Sequence, residues 1–298
     1  MSSPTHDTPD TAQPTSVRLR LPAHPENVAL ARQVLAGLAE SLDIDEDLLA
    51  DINIAVTEAC NNVVLHAYPD RTGTVEVTIT SDLDQLVISV RDEGTGVNPF
   101  PAAGTGAEAD PDARLGFGFA MMSLLSDQFA INSGAGGTEV RMRFALGDEP
   151  ALDSEDVFES ARLVDPGPAP PGDMVLVLTP AAPAAAVLGR FVSVLAARAR
   201  LSIDRMSDLQ LVTDALALHA PRRTVDGCFH ISADDHESGF DLRVGPLQAG
   251  GCDAIVADAT LAGVGSLLHL LSDDVASEPL NGGAPGAEVL RLRLMRAP

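Results

Sequence analysis

The stretch TEACNNVVLHAY, residues 57–68, decides how the first half of this chain is read. It sits inside DEDLLADINIAVTEACNNVVLHAY, where apolar residues recur every three to four positions behind an acidic opening, the pattern of an amphipathic helix. Glu58 and Asn62 stand four apart, so a helix projects both from one face, one turn apart. A carboxylate beside an amide oxygen makes a hard, oxygen-rich pair that suits Mg2+ shared with substrate phosphates, and the carboxylate can also take a proton. The same spacing also fits a plain solvated helix face. Asn61 falls off that face, His66 reads as a pocket-edge or packing residue, and Cys60 reads as a small core residue.

Outward from this helix the periods change. SVRLRLPA alternates as a strand and PENVALARQVLAGLAESL as an amphipathic helix before it. After it come the strands TVEVTIT and QLVISVRD, a Gly/Pro-rich loop, the helix LGFGFAMMSLLSDQF and a final hairpin, FAINSGAGGTEVRMRFAL. The order β-α-α-β-β-loop-α-β-β predicts an α+β sandwich with helices on one face of a mainly antiparallel sheet.

Composition narrows the function classes. The 298 residues carry a formal net charge of −24, and every basic residue is arginine. Such a field repels nucleic acid and anionic membrane; it suits a basic protein partner and equally serves solubility. Cys60, Cys228 and Cys252 are too far apart for a disulfide framework or a zinc site, which predicts a reducing, cytoplasmic setting. No signal peptide is expected, nor an apolar run of about 18 residues that would span a bilayer.

Two further clusters carry chemistry. In VRDEGTGV, Asp92 closes a strand ahead of Gly94 and Gly96; the carboxylate could accept from an exocyclic amine while the glycines let a flat base approach the backbone. A plain β-turn uses the same residues. In RLGFGFAMM, Gly116 and Gly118 are read as opening a helix, whose free N–H groups would form an anion site with Arg114 beside it, or merely a flexible helix entry. Neither cluster matches a Rossmann fingerprint or a P-loop.

In this order, on this order of elements, the three clusters resemble the ATP-binding fold shared by DNA gyrase B, the Hsp90 chaperone, histidine kinases and MutL, the Bergerat-type fold. That family's E-x-x-x-N, D-x-G-x-G, G-x-G and Gly-Thr motifs are matched by Glu58 to Asn62, Asp92 to Gly96, Gly116 to Gly118, and Gly137-Thr138. The trailing His-x-Tyr, the opening RLRLPAHPENVALARQVL and the closing GGTEVRMRF look like the bacterial anti-sigma-factor serine/threonine kinases. The resemblance implies ATP and Mg2+ as cofactors, Glu58 as base toward a serine hydroxyl, Asn62 as Mg2+ ligand, Asp92 as adenine reader, and Gly94, Gly96, Arg114, Gly116, Gly118 and Thr138 as the nucleotide pocket. It also implies two partners, an antagonist (anti-anti-sigma) protein and a sigma factor. A nucleotide-gated binding switch without phosphoryl transfer is the second reading, because the lid NPFPAAGTGAEADPDAR is acidic with Arg114 as its one cation.

The second half repeats the order of the first. Residues 1–16 are expected to form a disordered tail, 17–147 the ATP-binding domain, 148–172 an acidic and proline-rich linker, and 173–298 a degenerate copy, giving two tandem two-layer α/β sandwiches. Aligned on the helix motif, Asp214 replaces Glu58 and Leu218 replaces Asn62, and VGPLQAG stands roughly where VRDEGTG stood. Gly263 and Gly265 are expected at a helix start in LAGVGSLL. Such a copy is expected to bind no Mg-ATP; it would serve as a built-in pairing partner, an intramolecular counterpart of a homodimer, or as a regulatory or ligand-sensing domain.

Overall fold

The computed structural model describes residues 15–82, 84–96, 111–147, 169–179, 182–225, 227–261, 264–280 and 282–296, with side chains from residue 117 onward in the helix spanning 111–125. Residues 1–14 of the expected tail, most of the expected lid and most of the expected linker lie outside these residues, while Thr15 and Ser16, expected in the tail, begin the first strand.

The first half opens with β1 (Thr15–Pro22), in which Val17, Leu19 and Leu21 face the core and alternate with Arg18 and Arg20. A 3-10 turn, Pro25–Asn27, leads into α1 (Val28–Ser41), where Leu30, Ala31, Val34, Leu35 and Leu38 form one buried stripe. Next is α2 (Glu46–Asn62). Asp45 caps it by accepting from the Asp47 N–H at 2.9 Å, and Glu46 and Asp47 complement the helix dipole. The helix then widens into a π-helical turn, Val63–Ala67. Strands β2 (Thr74–Ser81) and β3 (Gln85–Asp92), helix α3 (Pro111–Leu125), and the hairpin β4 (Gln128–Gly134) and β5 (Gly137–Ala145) complete the half.

The second half runs β6 (Met174–Leu178), α4 (Ala184–Arg198), α5 (Ile203–His219), β7 (Phe229–His236), β8 (Gly239–Leu247) and α6 (Gly251–Asp258). It ends with a two-strand ladder of β9 (Thr260–Leu261) and β10 (Gly265–Ser266), a short α7 (Leu267–Leu271), β11 (Asp274–Pro279) and β12 (Glu288–Met295). Gly265 therefore lies in a strand, at φ +101°, and not in the helix start expected from LAGVGSLL; Gly263 lies outside the described residues.

The fold is mixed α/β on an antiparallel sheet. Two separate sandwiches were expected, but one ten-stranded sheet runs through the molecule in the order β11-β12-β8-β7-β6-β1-β2-β3-β5-β4. The join is the antiparallel pair β1–β6, with Val17 opposite Leu178 and Arg20 opposite Val175. Its cause is physical: β1 and β6 are the exposed edges of their own halves, and pairing satisfies both rows of backbone groups. Above the join α1 packs on α4 closely enough that a Cβ on Gly37 would lie 2.8 Å from the Ala186 carbonyl oxygen. Helices and the apolar rows of both halves share one continuous core.

One helix bears on the expectation about apolar length. The helical stretch Glu46–Ala67, 22 residues long with a window of 18 residues of mean hydropathy 1.3, is long and apolar enough by length and composition to cross a membrane. Within it Ile52, Ala55, Val56, Ala59 and Cys60 are buried in the core, whereas Ile54 and Leu65 are exposed.

Candidate functional site

Four segments converge at one end of the first half. Glu58 and Asn62 lie on α2 and are half-buried, as their spacing predicts. Gly118 faces them from α3: a Cβ there would stand 3.3 Å from Glu58 Oε2 and 3.5 and 3.6 Å from the two amide atoms of Asn62. The missing side chain leaves room directly over the carboxylate–amide pair. Asn62 Nδ2 is buried and has no hydrogen-bond partner among the described residues. A buried orphan amide is costly, and a half-turn of that amide offers its oxygen at the same place, which fits a hard cation. Among the described residues no three His, Cys, Asp or Glu side chains gather as a metal site. The donor set therefore suits a cation held largely by phosphate oxygens.

At the end of β3, Asp92 is 4% exposed. Its Oδ1 accepts from the Gly94 N–H at 2.7 Å and the Thr138 N–H at 3.2 Å, and among the described residues nothing is bonded to Oδ2. Burial pushes the carboxyl above the usual aspartate range, while the two backbone donors and nearby Arg91 pull it part of the way back. Gly94 is required by close approach, since a Cβ would lie 2.2 Å from the Ala67 carbonyl oxygen. Gly96 has φ +75° and passes so near Gly134 that a Cβ would meet its carbonyl oxygen at 2.3 Å. Thr138 is buried, and its hydroxyl lies 3.0 Å from that of Ser133. The structure thus brings Glu58, Asn62 and Gly118 together in one group and Asp92, Gly94, Gly96 and Thr138 in another, with the end of α2 linking the two.

The third cluster differs from its reading. Helix α3 starts at Pro111, so Gly116 and Gly118 lie in its interior rather than at a helix start. Proline at the first helical position, followed by Ala113 and Leu115, begins the helix more than a turn earlier than the glycines would. Their N–H groups are then inside the helical ladder, and the expected open anion site is not formed there. Arg114 lies in α3 with its side chain outside the described residues. His66 and Asn61 are half-buried.

Tyr68, which the sequence marks only as the end of a trailing His-x-Tyr, has a bonding role that the motifs do not foretell. Past the π-helical turn, the Tyr68 hydroxyl donates to the Thr74 carbonyl at 2.7 Å and accepts from the Glu93 N–H at 2.9 Å. Arg71 Nη2 donates to the Glu93 carbonyl at 2.6 Å, and its guanidinium carbon stands 5.0 Å from the Tyr68 ring centre. The sequence cue was a chain with one tyrosine, placed directly after the helix motif.

In the second half, Leu218 on α5 is 58% exposed, Asp214 bonds only Gln210 among the described side chains, and β8 ends in Gly245, Pro246 and Leu247.

Comparison with known proteins places the first half in a family. Residues 21–144 match the model of the histidine kinase-like ATPase domain. The serine-protein kinase RsbW of Bacillus subtilis (strain 168) is 30% identical over 142 residues, covering 44% of this chain and 87% of that protein. The RsbW of Bacillus licheniformis is 33% identical over 138 residues, covering 43% and 84%. The anti-sigma F factor of Thermoanaerobacter sp. (strain X514) is 32% identical over 130 residues, covering 42% and 89%. Among solved structures, the RsbU and RsbW domains of Rv1364c from Mycobacterium tuberculosis are 23% identical with a TM-score of 0.35, over 45% of this chain and 32% of that one. With the motifs seated as described and relatives of this kind matched over most of their own length, the chain belongs to the histidine kinase-like ATPase family and resembles its RsbW-type members.

Proposed function

We propose that residues 17–147 bind Mg-ATP and transfer its γ-phosphoryl group to a serine or threonine of an antagonist protein, and that the chain in its other state sequesters a sigma factor. The observation that carries this reading is the placement of Gly118 over Glu58 and Asn62. It leaves space for a phosphate chain beside a base and an amide ligand. Asn62 would hold Mg2+ through its amide oxygen, and the cation would neutralise charge on the phosphates. Glu58 is within reach of the same space and would accept the proton of the incoming hydroxyl. Asp92 would accept from the exocyclic amine of adenine through Oδ2, with Gly94 and Gly96 giving the base access to the backbone. Thr138 fixes Asp92 through its N–H. Gly118 is assigned to the nucleotide's phosphate end through the space it leaves rather than through its N–H, and Arg114 and Gly116, on the same helix, are assigned to that end by the resemblance alone.

The second half would be a degenerate partner that binds no nucleotide, since a leucine at position 218 offers only hydrocarbon to a cation. Its pairing through β1–β6 supports an intramolecular pseudo-dimer. Calorimetry of Mg-ATP on the full chain is expected to give one site, abolished by Asn62→Ala. Radiolabelled ATP with a candidate antagonist is expected to label a serine. Binding without labelling would favour the nucleotide-gated switch, and no binding would reject both.

A further inference from the structure

We propose that Tyr68 is a positioning residue: with Arg71 it fixes the backbone of Glu93 and thereby sets the direction in which Asp92 presents its carboxylate to a purine. The inference rests on Asp92 as the purine reader. Three consecutive N–H groups of the loop are held from three sides. Glu93 N–H goes to the Tyr68 hydroxyl, Gly94 N–H to Asp92 Oδ1, and Thr95 N–H to the Ala67 carbonyl at 3.1 Å. The Glu93 carbonyl goes to Arg71. Both polar groups of the residue next to Asp92 are therefore occupied by side chains from the α2–β2 connection.

The π-helical turn makes this possible. An extra residue per turn over Val63–Ala67 alters where the helix ends, leaving the Ala67 carbonyl turned to Thr95 and releasing Tyr68 into non-helical backbone at φ −131°, ψ 69°. The ring then lies against Gly73, where a Cβ would stand 2.1 Å from it, and under the Arg71 guanidinium. Ring packing locates the hydroxyl, and the hydroxyl bridges Thr74 at the start of β2 to Glu93 just past β3. The segment that follows α2 is thus tied to the loop that follows Asp92 at three points: Ala67, Tyr68 and Arg71.

Such a brace acts on base recognition and not on the phosphate end, which gives it a signature distinct from general destabilisation. Binding of Mg-ATP and Mg-GTP to the full chain is measured by calorimetry for wild type, Tyr68→Phe and Arg71→Gln, with Asn62→Ala as reference. Loss of the hydroxyl is expected to weaken ATP by roughly 3- to 10-fold, the worth of about one hydrogen bond, and GTP much less. The preference for ATP over GTP shrinks accordingly. Asn62→Ala lowers both nucleotides and leaves their ratio in place. Arg71 is exposed, so Arg71→Gln keeps the fold and narrows the same ratio even if Tyr68→Phe does not fold. An unchanged ATP:GTP ratio in both variants overturns the brace while leaving Asp92 as reader. A wild type without preference for ATP overturns the reader and the brace together.

Discussion

Gly118→Ala separates what the helix wants from what the site needs. In the interior of α3, replacing glycine by alanine gains about 0.8–1 kcal/mol of helix propensity. Against that stands the new methyl, 3.3 Å from Glu58 Oε2 and about as near the Asn62 amide as ordinary contact permits. The nearest atom is the far end of a flexible carboxylate, which can shift by a few tenths of an ångström at small cost. The ligand-free variant should therefore be as stable as wild type or up to about 1 kcal/mol more stable, a rise in Tm of roughly 1–3 °C for a chain of this size. The same methyl occupies the space above Glu58 and Asn62, and a clash there or a displaced base costs binding. Affinity for Mg-ATP should fall at least about tenfold, or about 1.4 kcal/mol. Thermal unfolding without nucleotide and calorimetry with it, on one preparation, read the two effects. Wild-type ATP affinity in Gly118→Ala would refute the placement of the phosphates over this pair. A loss of several kcal/mol in stability would show that α3 tolerates no atom there, and the argument from open space would fail.

Two pH responses follow from the carboxylates. Asp92 is held above the ordinary aspartate value by burial, so the folded chain keeps its proton to a higher pH than the unfolded chain does. Its ionisation then lowers stability as pH rises through the window just above 3.8, while the proposed role of Asp92 as adenine reader requires the ionised form. ATP affinity should decline on acidification, beginning at a pH above the ordinary aspartate range, and Asp92→Asn should flatten that decline; an identical profile in the variant would contradict the assignment. Asp241 on β8 behaves oppositely. A bidentate pair with Arg293, at 2.8 and 2.9 Å, lowers its carboxyl to about 2, with His236 assisting. That stability is present above the unfolded value of 3.8 and lost as pH falls through about 2. Asp241→Asn should cost about 2 kcal/mol at neutral pH and about half as much near pH 3. Denaturant titration at the two pH values checks this, and an equal cost at both would refute it.

The element order of the first half is legible because its periods are clean: strict alternation in β1 and a buried stripe in α1 leave little choice. Glu58, Asn62 and Asp92 stand out because polar groups at such positions need a reason. The start of α3 was misplaced by reading Gly116 and Gly118 as helix openers, when Pro111 supplies the stronger start. The π-helical turn is invisible to periodicity, since five residues are too few to reveal a changed pitch. The Tyr68 brace depends on atoms from three segments meeting, which spacing along one segment cannot report. The single sheet escaped for a related reason: each half shows an apolar alternating first strand, but alternation does not say which strand lies alongside.

The β1–β6 pair has a consequence for how associations of this protein can be timed. Where a sheet is completed by another chain, completion depends on concentration and can be undone by dilution or competition. Here the complement is attached through the same polypeptide, so the join forms at a fixed local concentration that dilution does not change. The edges that remain, β4 and β11, lie at opposite ends of ten strands, and neither adjoins the join. With this seam filled from within the chain, any input to the candidate site would arrive through conformational change within the chain or through contacts on its surface.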